Sequence, residues 1–295
     1  LGGLFALLSR LDVVWSPSSP VLRELDLPLL LHPETIRLVW TDPQLLGWGL
    51  RFALATIFIL VSHELGHWFA CRRYGLRATP PYFLPAPVGL GTFGAFIRIR
   101  TPLRGKKELF DVGIAGPIAG FVALLPVLAV GMARSVPLDL NGLANVRSGM
   151  VLAFPGENLL WRLSSLAFHG PLGEGVMLNP HPFLLAAWVG MLATALNLLP
   201  LAQLDGGHIL YALLGRRQRR LVWPLWLALV ALGFWSPGWW LWAVIVLLLG
   251  LRHPPVFDEE TPLDRRRRLL AWLALALLVL CFVPVPLATY RIVPN

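Results

Sequence analysis

The 295-residue sequence predicts a mainly α-helical, polytopic membrane protein with about six transmembrane helices and one short β-strand or re-entrant segment. Three observations carry that class. Apolar residues make up 56% of the chain and charged residues only 14%, against about 25% charged in an ordinary soluble domain, and the mean hydropathy is +0.67. Thirteen tryptophans suit a protein with interfacial aromatic belts. The basic residues, nearly all arginine, sit at the ends of apolar runs, in "CRRYGLR" (71–77), "GRRQRR" (215–220) and "DRRRR" (264–268). The net charge of +9 is therefore the positive-inside pattern of cytoplasmic loops, and it excludes a nucleic-acid surface.

In chain order, "LGGLFALL" (1–8) is too short to span and reads as the remnant of a truncated helix. Residues 9–44, with prolines at 17, 20, 28, 33 and 43, complete an N-terminal extramembrane arm, and 45–290 form the membrane domain. The first span runs from Leu45 to Tyr74. A Pro- and Gly-rich stretch follows and alternates over 93–100, with Phe93, Ala95, Ile97 and Ile99 on one face, which predicts a strand. The next span covers 110–132, where Gly116 and Gly120 lie one turn apart for close helix contact. Residues 133–180 are a polar excursion, and 182–214 an apolar segment broken at "NLLPLAQLDGGH". Residues 221–251 carry no charge; as one helix they would measure roughly 46 Å, too long for a ~30 Å hydrocarbon core. The "SPG" at 236–238 makes them a hairpin, which returns Arg265–Arg268 to the cytoplasmic side. A last span runs from Leu269 to Val283. The two cysteines, Cys71 and Cys281, read as buried thiols.

The chemistry begins inside the first span. His63-Glu64-Leu65-Gly66-His67 is an H-E-x-x-H motif. Histidines at i and i+4 share a helix face, so both imidazoles reach one Zn²⁺, and Glu64 is placed to address metal-bound water. A His–Glu–His trio among Ile57, Phe58, Ile59, Leu60, Val61 and Phe69 would otherwise lack hydrogen-bond partners. Catalytic zinc needs a third protein ligand. Glu108 and Asp111 lie at a basic span start, Glu157 and Glu174 in the polar excursion, and Asp258, Glu259 and Glu260 in a cytoplasmic loop. Asp205 alone is a carboxylate inside a distant apolar segment, at the same depth as the histidines. By itself an intramembrane aspartate serves a proton pathway equally well. Pro200 and Gly206-Gly207 break the helix there, and a broken helix at membrane depth lines a cavity.

"HELGH" in a span, followed by "NLLPLAQLDGG", resembles the site-2 protease family of intramembrane zinc metalloproteases. The second motif, N-x-x-P-x-x-x-L-D-G, is met by Asn197, Pro200, Leu204, Asp205 and Gly206. "GTFGAFIRI", "GIAGPIAG" and the tail "RHPPVFDEETPLDRRRR…CFVPVP" are similar to the bacterial and plastid branch without a PDZ domain, and the likeness covers about 45–290. It implies a zinc endopeptidase that cuts within or near transmembrane segments of membrane protein substrates. His63, His67 and Asp205 would be the zinc ligands, Glu64 the general base and Asn197 an oxyanion donor. The lipid bilayer and a transmembrane substrate are the expected partners. An unwound substrate needs a sheet edge to pair with, for which Gly91, Thr92, Phe93, Gly94 and Ala95 are the candidates, a purely structural strand being the alternative. The expected location is a bacterial plasma membrane with the site toward the cytoplasm. The competing readings are an intramembrane metal transporter and a non-proteolytic scaffold of the same fold. His208 reads as a polar residue near a helix exit or a neighbour of the ligands, and His32, His169, His181 and His253 as solvated loop residues.

Overall fold

A computed structural model describes Arg37 and residues 40–85, 92–139, 151–201, 203–251 and 253–291; Gly91, His32 and the first 36 residues lie outside them. Helix α1, Pro43–Arg73, opens with Asp42, whose side chain accepts from the Gln44 and Leu45 amides, and with proline in the first turn. It closes on Arg72 and Arg73, which suit the negative end of the helix dipole, and Gly75 turns the chain at φ +66°. Phe52, Ala55, Thr56, Ile59, His63, His67 and Cys71 form its buried face, while Leu50, Leu54, Phe58 and Phe69 point outward. The outward leucines and phenylalanines are the surface of a helix whose surroundings are apolar.

The chain then forms a two-stranded antiparallel hairpin, β1 (Tyr82–Pro85) and β2 (Thr92–Phe96), with Tyr82 opposite Phe96 and Pro85 opposite Thr92. The strand expected over 93–100 thus stops at Phe96. Ile99 instead makes an isolated bridge to Ala78. The partner strand lies in "TPPYFLPAP", whose prolines hide any period-two signal.

Helix α2 (Lys106–Arg134) runs back along α1, and α4 (Pro182–Leu198) completes a three-helix core. Each pair in that core meets through a glycine. A Cβ on Gly66 of α1 would lie 2.4 Å from the Ala115 carbonyl oxygen of α2. One on Gly131 of α2 would lie 2.4 Å from the Leu184 nitrogen of α4, and one on Gly190 of α4 would lie 2.9 Å from Ile59 of α1. Around these contacts Phe52, Ile59, Leu124, Leu128, Met132, Leu184, Leu185, Trp188 and Met191 form one buried cluster. In a bilayer, where apolar burial gives little net drive, such close backbone approach is what holds helices together.

The polar excursion is built rather than irregular. It contains β3 (Val136–Asp139), β4 (Val151–Pro155), α3 (Leu159–His169) and β5 (Val176–Asn179). β3 pairs with β5, and β4 pairs with the C-terminal β6 (Leu287–Arg291). His181, expected to be solvated, is buried at the start of α4. Its Nδ1 accepts from the Phe183 amide at 3.2 Å, and its ring packs on Trp48 and Phe183.

After α4 come α5 (Asp205–Leu214), a 3-10 turn (Gly215–Gln218), α6 (Arg219–Leu232), α7 (Gly238–Leu248) and α8 (Arg265–Cys281). The expected hairpin across 221–251 is present as α6 and α7. Among the described residues two helices, α1 and α2, are long and apolar enough to cross a membrane; α4 and α7 are shorter apolar helices. Cys71 and Cys281 are free and buried, as read from the sequence.

The arginine-bearing loops gather at one end of the molecule. Gly105 bridges to Asp258, Arg216 pairs with Glu259, and Arg267 of α8 holds Asp111 of α2 at 2.6 Å and Tyr74 at 3.2 Å. Arg267 is therefore more than a topological anchor, and Asp111 is committed to it rather than to a metal.

Two outcomes test this packing. Gly66→Ala should lower thermal stability by about 1–3 kcal/mol through overpacking. Gly47→Ala, in the same helix with open space around it, should leave it unchanged or raise it by up to about 1 kcal/mol; melting in detergent compares them. His181 has its pKa lowered to about 4, first by burial and then by Arg134 and Arg51. The unfolded chain therefore binds a proton that the folded chain refuses. The stability that His181 contributes is full above about pH 6.5 and declines as pH falls toward 4. His181→Asn, which keeps a cap without titrating, should flatten that decline in melting curves taken across the range.

Candidate metal centre

Three side chains from two helices converge beneath the core. The Nε2 atoms of His63 and His67 are 3.0 Å apart, and Asp205 Oδ2 lies 3.2 Å from the first and 3.3 Å from the second. Both histidines are buried and Asp205 is largely so. Among the described residues this is the group of His, Cys, Asp and Glu able to hold a metal ion.

Each donor has a local cause. Helical spacing stacks His63 over His67 on the buried face of α1. Their rings fit because α2 offers no side chains there. A Cβ on Gly116 would come within 2.1 Å of His67 Nε2, and one on Gly120 within 3.0 Å of His63 Cβ. Asp205 is the first residue of α5, just past the break after α4. The break is tight: a Cβ on Gly206 would lie 2.0 Å from the Leu198 carbonyl oxygen. Gly113 of α2 adjoins the Asp205 backbone, where an added Cβ would sit 3.3 Å from its carbonyl oxygen.

The donor chemistry tests whether a cation fits. His67 Nδ1 stands 2.7 Å from the Val112 carbonyl oxygen, which can only accept, so Nδ1 carries the hydrogen. His67 Nε2 is then a lone pair, aimed at another imidazole nitrogen and a carboxylate oxygen. Lone pairs so placed repel unless a proton or a cation lies between them. Tetrahedral zinc with bonds of 2.0–2.1 Å separates its ligand atoms by about 3.3 Å; the two separations to Asp205, 3.2 and 3.3 Å, match that edge, and the 3.0 Å between the imidazoles is slightly shorter. The residues fit zinc, with one position left for water or substrate.

Two further groups lie beside the three donors. Asn197, one turn before the break, places Nδ2 3.4 Å from His63 Nε2. Glu64 is half-buried, with the peptide N–H of Ile97 turned toward its carboxylate. The residue following β2 thus lies near the glutamate of the H-E-x-x-H motif. Thr92–Ala95 form most of β2; Gly91 lies outside the described residues. Sequence reasoning missed the Val112 carbonyl and Gly113, and it read Gly116 and Gly120 as helix contacts only. The spacing of glycines at 113, 116 and 120 was the available signal.

His253, expected to be solvated, is buried, with its Nε2 2.7 Å from Nδ1 of His208 on α5. Burial also lowers its pKa.

Residues 51–230 match peptidase family M50. Over 248 residues the chain is 32% identical to the Arabidopsis thaliana protein named "Probable zinc metalloprotease EGY2, chloroplastic", covering 83% of this chain and 43% of that one. It is 32% identical over 243 residues to the "Probable zinc metalloprotease EGY1, chloroplastic" of the same plant, with 80% and 43% covered. It is 30% identical over 242 residues to the "Probable zinc metalloprotease EGY3, chloroplastic" of Oryza sativa subsp. indica, with 76% and 40% covered. The chain thus spans about two fifths of the length of these relatives. Their names are those of chloroplast proteins and lend no support to the bacterial plasma membrane expected above.

Metal analysis of purified protein should find one zinc per chain, lost in Asp205→Ala and in His67→Ala. Gly116→Val, which touches no ligand in sequence but fills the space of the His67 ring, should also lose most of it.

Proposed function

The chain belongs to peptidase family M50, and on that premise we propose that it is an intramembrane zinc endopeptidase that hydrolyses peptide bonds within or near transmembrane segments of membrane proteins. The observation that supports this reading is the convergence of His63, His67 and Asp205, with the carboxylate of Glu64 close enough to interact with His67 and Asp205.

Bound zinc supplies a Lewis acid that brings the ionisation of water into the neutral range. His63, His67 and Asp205 would hold it, His67 with its ring fixed by the Val112 carbonyl. Glu64 takes the proton of the attacking water and delivers it to the departing amine. Asn197 Nδ2 donates to the substrate carbonyl oxygen as that atom gains charge. The walls of α2 keep bulk water from the histidines, so these dipoles act in a medium of low polarity.

A helical substrate hides its carbonyls in its own hydrogen bonds and must unwind before it is cut. The outer edge of β2, Thr92–Phe96, offers backbone groups to an unwound strand, in the manner of strand addition. Ile97 follows that strand directly and faces Glu64, so a strand paired there lies beside the base. Gly91, Thr92, Phe93, Gly94 and Ala95 remain the proposed substrate-binding segment.

The membrane arrangement consistent with this reading has six spans, formed by α1, α2, α4, α6, α7 and α8. The shared end of the arginine loops then lies on the cytoplasmic side, with the metal site near it.

The purified 295-residue chain, incubated with a transmembrane substrate in proteoliposomes, should cleave it. Glu64→Gln should retain wild-type zinc and lose activity by about 10²-fold or more. Cleavage by Glu64→Gln at the wild-type rate would overturn the assignment.

A further inference from the structure

The segment 253–264, between α7 and α8, lies across the metal-bearing helix α5 as a strap. Four contacts dock it. The Asp258 amide donates to the Arg104 carbonyl at 2.8 Å, Tyr211 of α5 donates to Glu259 at 2.5 Å, and Arg216 pairs with Glu259 at 2.9 Å. The fourth is the pair of His253 and His208. Leu263 is buried with Ile209 and Tyr211 of α5 and with Leu109 and Phe110 of α2.

The histidine pair can be read atom by atom. His253 Nδ1 lies 2.6 Å from the Pro254 carbonyl oxygen, which only accepts, so Nδ1 of His253 carries the hydrogen. His253 Nε2 is then a lone pair, and at 2.7 Å it must accept from Nδ1–H of His208. Both rings are thereby fixed in one tautomer, with His208 Nε2 left as an acceptor. His253 is held in place on both sides, stacked on Tyr211 at 4.5 Å and edge-on to His208 at 4.9 Å. Its burial disfavours the charge that would break the pattern.

His208 sits one turn after Asp205 on the same short helix, and its Cβ backs onto Gly113 of α2, the residue that also adjoins the Asp205 carbonyl. α5 begins with no side-chain cap. The orientation of Asp205 therefore depends on what grips the rest of its first two turns.

We propose that His208 and His253 are positioning residues for the metal site: the tautomer-locked pair clamps the first turns of α5 against α2 and so aims the Asp205 carboxylate at the histidines of α1. The inference rests on the metal reading given above. The chemistry resembles the outer partners that orient metal ligands elsewhere, whose loss typically weakens metal binding about 10- to 100-fold.

The test is zinc affinity of the full chain in detergent, by competition with a chelator, for wild type and three variants. His253→Leu removes the acceptor and should bind zinc about 10- to 100-fold more weakly. His253→Gln restores an acceptor for His208 and should recover most of that loss. Tyr211→Phe keeps the stacking, removes one of the two partners of Glu259 and so loosens the strap elsewhere; it should bind as wild type does. Nitrogen-15 shifts of the imidazoles in wild type should report His208 protonated at Nδ1 and bare at Nε2, a readout that does not require any variant to fold. Wild-type affinity in His253→Leu, equal losses in Tyr211→Phe and His253→Leu, or a hydrogen on His208 Nε2 would each overturn the proposal. A wild-type chain without zinc affinity would overturn the metal reading itself, and the clamp's role with it.

Discussion

The site depends on how closely α1 lies on α2. Two imidazoles occupy the space that side chains at Gly116 and Gly120 would fill, and the Gly66 Cα rests against the Ala115 carbonyl. Closeness is what lets the backbone of α2 act chemically. At this separation the Val112 carbonyl reaches His67 Nδ1 and fixes which nitrogen is bare. A wider gap would leave the ring free to rotate, and the lone pair would have no fixed direction. Packing and ligand chemistry are here one constraint.

A second requirement follows from burial. Two imidazole nitrogens and a carboxylate oxygen buried within hydrogen-bond distance of one another are unfavourable unless a proton or a cation joins them. Among the described residues, Arg267 is taken up by Asp111 and Tyr74 and Arg216 by Glu259, so neither joins the three donors. Those pairs sit where the loops gather, and they fasten α8 and the strap to the rest. The charged residues of one end thus hold the frame, while the metal donors within it are left for an ion.

Much of this was legible in the sequence. His63, Glu64 and His67 stand out because i, i+4 spacing is local, and Asp205 because a carboxylate in an apolar run needs a reason. The hairpin of α6 and α7 was legible from "SPG" and from the side on which Arg265–Arg268 must lie. Other parts were not. The Val112 carbonyl is invisible because a backbone acceptor leaves no mark in side-chain pattern. β1 is masked by Pro80, Pro81 and Pro85, and β2 stops at Phe96 because the chain bends to pair Ile99 with Ala78. His253 read as solvated because "RHPP" looks like a surface turn, yet its partner comes from α5, 45 residues away. His181 misled for a similar reason: a polar residue before an apolar run was its cap and lay under Trp48.

Whether His63, His67 and Asp205 hold one zinc ion is decided by X-ray absorption at the zinc edge of the purified chain. Two imidazole ligands and only nitrogen or oxygen neighbours are expected, at about 2.0–2.1 Å. A sulfur shell at about 2.3 Å, or a single imidazole, would contradict it.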